Sequence, residues 1–172
     1  MRVEDAAEPT TGKVRVIARR PPSSPVYLLD VDADSGDRTR VRGALWDGVL
    51  NASPEDTTDG PSPVEALLAG VAGCFVRNLR WYADGSHVVL GRIGLRIAAE
   101  REDDPPAITE VHMNVDLESD APPRRVHGIV ERALRTGTIT RTVARAAAFS
   151  MTLVINGEEW PIDLAAVGLI RS

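Results

Sequence analysis

The sequence is short of several things, and each shortage excludes a class of protein. There is one cysteine, Cys74, so no disulfide can form within the chain and no thiolate metal site can be anchored. Aromatic residues make up 4% of the chain, so the core has to be built from Val, Leu, Ile and Ala. Basic charge is not in excess: the net charge is −5 and the pI about 5.2, against a dedicated nucleic-acid or anionic-membrane partner. The longest apolar run, Ala66 to Val76, is too short to span a bilayer. The polar start MRVEDAAEPTTG has no apolar core of a signal peptide, so a cytoplasmic protein is expected. Lysine is nearly absent, with Lys13 alone beside the arginines, and no mechanism follows from that.

What is present is a globular composition, 43% hydrophobic and 26% charged over 172 residues, which fits a single domain 1–172. Residues 1–12 read as a flexible arm. Strands are expected at 14–18, 26–31 and 39–45, forming an antiparallel meander, with a loop over 47–62. A long helix follows at 63–82, apolar on most sides in its first three turns. Two alternating strands, 88–102 and 108–117, flank the turn DDPP. In the second, Val111, Met113, Val115 and Leu117 face one way, while Glu110, His112, Asn114 and Asp116 face the other. The glycines of GRIGLR at 91–96 signal a bulge or a close backbone approach. A helix from Pro123 to about Thr136 carries the stripe Val126, Ile129, Val130, Ala133 and Leu134, with Gly137 as its C-cap. A short helix over 138–147 and strands at 149–155 and 158–164, joined by an Asn156-Gly157 hairpin turn, complete the pattern.

Ser62-Pro63-Val64-Glu65 is a helix-start signature. Ser62 fits N-cap, Pro63 N1 and Glu65 N3, so hydroxyl and carboxylate can each satisfy the other's backbone amide. That spacing accounts for Glu65 as a capping residue; a catalytic carboxylate is the competing assignment. Gly70 and Gly73 each cost the helix roughly 1 kcal/mol relative to alanine. They imply close approach by a second long element, for which a partner subunit is a plausible source. Cys74 is either a small buried hydrophobe or a nucleophile.

The stretch GPSPVEALLAGVAGCF at 60–75 resembles the OsmC/Ohr superfamily motif, a turn with Pro, a helix start with Glu, and a cysteine near mid-helix. ERALRTGTITRTV at 131–143 is similar to the segment around that family's second cysteine, and the likeness covers about 14–156. The resemblance implies an α+β, OsmC-like fold: long central helices crossing within an intertwined homodimer, enclosed by curved antiparallel sheets. It implies a peroxiredoxin-like activity against oxidative stress, with Cys74 reducing organic hydroperoxides. It also places Gly70, Gly73 and Phe75 at the interface or pocket. Active members use an activating glutamate and arginine and a second cysteine. Here the second-cysteine position is Gly137, the glutamate position is Val64, and no Lys or Arg occurs between Arg42 and Arg77. Arg77, at i+3 from Cys74, is the candidate activator on the helix, with Arg40 or Arg42 as candidates from the third strand.

His87, His112 and His127 show no metal-ligand spacing, and no Gly-x-Ser-x-Gly elbow or phosphate-cradling glycine loop occurs, so no cofactor or metal is expected. Two functions remain. One is a one-cysteine hydroperoxide reductase that needs an external thiol reductant. The other is a non-catalytic binder of a small apolar or acyl ligand in a dimer-interface pocket.

Overall fold

The computed structural model describes residues 13–16, 29–33, 38–42, 47–51 and 60–170, and these divide into two compact units, Met1–Ala66 and Leu67–Ser172. The expected arm 1–12, parts of all three expected strands, residues 52–59 of the expected loop and the last two residues lie outside the described residues.

In the first unit, β1 (Lys13–Val16), β2 (Leu29–Ala33), β3 (Arg38–Arg42) and β4 (Asp47–Asn51) form an antiparallel sheet in chain order. The expected meander is therefore present. It has a fourth strand where a loop was expected, because Asp47–Asn51 pairs along its whole length with β3. Asp47, Gly48 and Asn51 are turn-forming types that hide β4 in the sequence, and only the ladder with β3 reveals it.

In the second unit, which takes in all but the first turn of α1 (Pro63–Gly85), the helix leads into β5 (Leu90–Asp103) and β6 (Pro106–Ser119), an antiparallel pair. Helices α2 (Pro123–Thr136) and α3 (Thr138–Ala146) then carry the chain to β7 (Ala148–Ile155). That crossover makes β7 parallel to β6, and β8 (Glu158–Trp160) closes the order β5-β6-β7-β8. Strand β8 is shorter than the expected 158–164, since Pro161 has no amide to extend the ladder.

The alternation in β6 resolves as expected. Val111, Met113, Val115 and Leu117 are buried, and they join the α2 stripe Val126, Ile129, Val130, Ala133 and Leu134 in one core. Helix α1 contributes Val71, Phe75, Leu79 and Ala83, an i, i+4 row. The final residues, which carry no legible pattern, add Leu164, Val167 and Leu169 to the same core.

Glycine placement follows the backbone. A Cβ on Gly91 would lie 3.3 Å from the Glu118 carbonyl oxygen, beside the register shift between Leu90 and Ile93, so the expected bulge and close approach are both present. Asn156 and Gly157 have φ of 54° and 83°, the pair of positive values that a type I′ hairpin turn requires. The Asn156 side chain also clamps the end of β6, accepting from the Ser119 amide at 2.9 Å and donating to the Ser119 carbonyl at 2.8 Å.

Helix α1 ends in a Schellman motif. Val88 N–H donates to the Ala83 carbonyl at 2.9 Å and His87 N–H to the Asp84 carbonyl at 3.0 Å, with His87 left-handed at φ 53°. Val88 then buries against the core. The left-handed region costs a residue with a Cβ roughly 1–2 kcal/mol. His87→Gly is therefore expected to raise stability by about 1 kcal/mol in urea unfolding, and His87→Val to lower it.

Candidate functional site

The start of α1 is held by the reciprocal cap that its sequence announces. The Ser62 amide donates to Glu65 Oε2 at 2.7 Å, and the Glu65 amide donates to Ser62 Oγ at 3.3 Å. The backbone hydrogen bond from Ser62, and then the one to its side chain, lower the Glu65 pKa from the usual carboxylate value. Glu65 is thus an exposed carboxylate spent on the helix end.

From this start the helix winds with its rotation fixed by the buried row Val71, Phe75, Leu79 and Ala83. Phe75, expected to line a pocket, is wholly buried in that row at 0% exposure. Cys74 precedes it by one residue, about 100° around the axis, and is half-buried at the edge of the exposed face. That face runs Leu67, Gly70, Cys74, Arg77 and Trp81, at the 3–4-residue spacing of one side of a helix. Leu67 is 40% exposed and Trp81 is 68% exposed. The expectation of a helix buried on most sides is therefore corrected: within this chain, α1 buries one stripe and exposes another.

Gly70 and Gly73 lie on the exposed side, and among the described residues nothing comes within 4 Å of a Cβ built on either. The close approach that would account for them comes from no described residue of the chain. Arg77 is exposed one turn beyond Cys74. Arg40 and Arg42 belong to β3 in the other unit.

Gly137, which the resemblance places at the second-cysteine position, connects α2 to α3. It caps α2 in an extended conformation, φ −67° and ψ 99°, instead of the left-handed one usual for a C-cap glycine. Its reason for being glycine is space. A Cβ there would lie 3.1 Å from Thr140 Oγ1 and 3.2 Å from the Ala133 carbonyl oxygen. Thr140 is fully buried, and its hydroxyl has no hydrogen-bond partner among the described residues.

One polar cluster carries a signal that sequence reasoning used only in part. The wet face of β6 meets β7, where His112 Nδ1 and Ser150 Oγ are hydrogen-bonded at 2.7 Å and His112 Nε2 and Asn114 Oδ1 at 3.0 Å. The alternation of β6 puts His112 and Asn114 on this face, but the parallel register His112↔Ser150 is needed to bring the serine to them. His112, Ser150 and Asn114 thus form a cross-strand hydrogen-bond network on this face. His127 is likewise structural. Its Nε2 donates to the Pro161 carbonyl at 2.8 Å and its ring lies 5.8 Å from that of Trp160. Among the described residues no three His, Cys, Asp or Glu side chains converge as a metal site.

The cap is testable apart from any activity. Ser62→Ala is expected to cost about 0.5–2 kcal/mol of stability. Because the folded pKa of Glu65 is lowered, the carboxylate's contribution is complete above its unfolded pKa and disappears as pH falls through the lowered folded value. Urea midpoints measured against pH should therefore show an acid-side loss that is absent in Glu65→Gln. If Glu65 only caps, that variant leaves the alkylation rate of Cys74 unchanged.

Residues 55–152 match the family model described as OsmC-like protein. In fold, the chain is similar to the crystal structure of an OsmC-like protein from Mycoplasma pneumoniae, with a TM-score of 0.68 at 14% identity, covering 75% of this chain and 96% of that one. It is also similar to an organic hydroperoxide resistance protein OsmC from Legionella pneumophila, with a TM-score of 0.55 at 14% identity, covering 74% and 97%. The organic hydroperoxide resistance protein OhrB of Bacillus subtilis aligns with a TM-score of 0.50 at 15% identity, covering 74% and 97%. No curated protein matches the chain significantly in sequence. The family match spans more than half of the chain, from ahead of the Ser62–Glu65 cap, through Cys74, to β7, and it follows that the chain belongs to the OsmC family of α+β proteins.

Proposed function

We propose that the protein is a redox protein of the stress-response type, in which Cys74 reduces organic hydroperoxides in one-cysteine fashion at a site completed by a second copy of the chain. The observation that carries this reading is the placement of Cys74. A purely structural cysteine would share the buried row of Phe75, whereas this one sits half-buried at the edge of the outward face of the helix. Two structural relatives named as organic hydroperoxide resistance proteins support the substrate class. Gly70, Gly73, Leu67 and Trp81 support the second copy, because small residues flanked by exposed apolar ones on one helix face suit a closely approaching helix. A cytoplasmic location, where thiols are kept reduced, fits a lone catalytic cysteine.

The chemistry balances without a second cysteine. The Cys74 thiolate attacks the distal oxygen of the hydroperoxide, the O–O bond breaks, and the alkoxide leaves as alcohol after taking a proton. Cys74 is now a sulfenic acid. One external thiol condenses with it to a mixed disulfide and releases water; a second thiol displaces Cys74 and leaves as the external disulfide. Arg77, one turn on, is the arginine of α1 nearest Cys74 in the chain and the candidate to favour the thiolate.

Two observations favour a second reading, a non-catalytic binder of a small apolar or acyl ligand. Glu65 is committed to the helix cap, and the second-cysteine position is a glycine tightly packed by Thr140 and Ala133. Treatment with cumene hydroperoxide decides between them. The redox reading expects a dimedone-trappable sulfenic acid at Cys74 by mass spectrometry, advancing to sulfinic acid with excess oxidant. It expects peroxide consumption only with external dithiol, and none in Cys74→Ser. No mass change at Cys74, where a two-cysteine relative is fully oxidised, leaves the binder. Sedimentation should give a homodimer, with Gly70→Leu disrupting assembly; a monomer at micromolar concentration removes the shared site.

A further inference from the structure

We propose that α2 carries a second ligand site, independent of Cys74, in which Arg124, Arg125 and Arg132 bind the phosphate group of a small phosphorylated molecule. The chain as a whole is acidic, at −5, yet residues 123–146 hold six arginines and a single glutamate. Three of those arginines surround one groove of about 380 Å³, lined by Ser86, Arg124, Arg125, Gly128, Ile129 and Arg132. The spacing explains the geometry. Arg124, Gly128 and Arg132 are four apart and lie in one row, so the glycine is the floor between two guanidinium groups.

Gly128 is the telling residue. Glycine is disfavoured inside a helix. A Cβ built here meets nothing within 4 Å among the described residues, so packing within the chain does not require its absence. What the missing side chain leaves is an open floor to the arginine-lined groove. Arg125 is held at the wall, its Nη2 donating to the Ser86 carbonyl at 2.6 Å, with other N–H donors left over.

The charges remain uncompensated within what is described. Among the described residues, carboxylates lie within 4 Å of Arg92, Arg101 and His127, and of none of the three groove arginines. The one glutamate of α2, Glu131, faces His127 instead. Arg124 and Arg125 also stand in the first turn of α2, where no acid offsets them and the helix dipole adds to the positive potential. A bound anion relieves all of this at once. Guanidinium groups match phosphate oxygens two at a time, and three of them suit a phosphate dianion or a diphosphate better than a single carboxylate.

The test is calorimetric titration of the full chain with pyrophosphate at ionic strength held constant with sodium chloride. One saturable site per chain is expected. Arg124→Ala and Arg132→Ala should each weaken it by about tenfold or more, the loss of a charge-assisted contact. Gly128→Leu leaves every charge in place and fills the floor. It should weaken binding by a similar factor while the melting temperature of the free protein holds or rises, since leucine is the better helix former. Three results overturn the proposal: no saturable binding, binding unaffected by Gly128→Leu, or tight binding of a short DNA duplex that pyrophosphate does not displace. The second means diffuse charge and the third a polyanion surface. None depends on the chemistry of Cys74.

Discussion

The rotation of α1 about its own axis is the constraint on which the rest of the site depends. Val71, Phe75, Leu79 and Ala83 lock that rotation by entering the core shared with the inward face of β6. Burying a side chain the size of phenylalanine contributes about 1.5–3 kcal/mol, so turning the helix by even one residue would be strongly opposed. With Phe75 inward, Cys74 has to sit at the edge, and Gly70, Gly73, Arg77 and Trp81 have to face outward. The accessibility of the thiol is a consequence of packing on the opposite side of the helix.

The electrostatics divide the acidic chain into parts with different roles. Glu65 stabilises a helix end by accepting from the Ser62 amide, which removes it from the immediate chemistry of Cys74, about two and a half turns away. Arg77 lies on the thiol's side of α1, while the arginines of α2 gather around Gly128. A net charge summed over the chain conceals this separation. The acid excess argues against long-range attraction of polyanions, yet it leaves room for a local basic groove on one helix.

The α2–α3 junction shows how close packing selects a glycine. An extended Gly137 allows α3 to begin at once, and the neighbouring Thr140 hydroxyl is buried without a partner among the described residues. A larger side chain at 137 would meet Thr140 and the Ala133 carbonyl within about the distance that forces neighbours to move. The junction is therefore built around glycine.

Elements with a strong local cause were legible in the sequence. The capping box of α1, the apolar stripe of α2, the alternation of β6, the glycine bulge of β5 and the Asn156-Gly157 turn each depend on residues near one another in the chain. Strand β4 was missed because its residues resemble a loop until β3 pairs with them. The parallel register of β6 with β7, which joins His112 to Ser150, needs a crossover whose ends are 38 residues apart. The arginine groove needs α2 to meet the end of α1 at Ser86. Sequence by itself determined the helix caps, the apolar faces and the tight turns, because capping, periodicity and φ preferences act within a few residues. Tertiary structure alone decided which way Cys74 faces and which charges share a groove, because burial and close approach are set by residues distant in the chain.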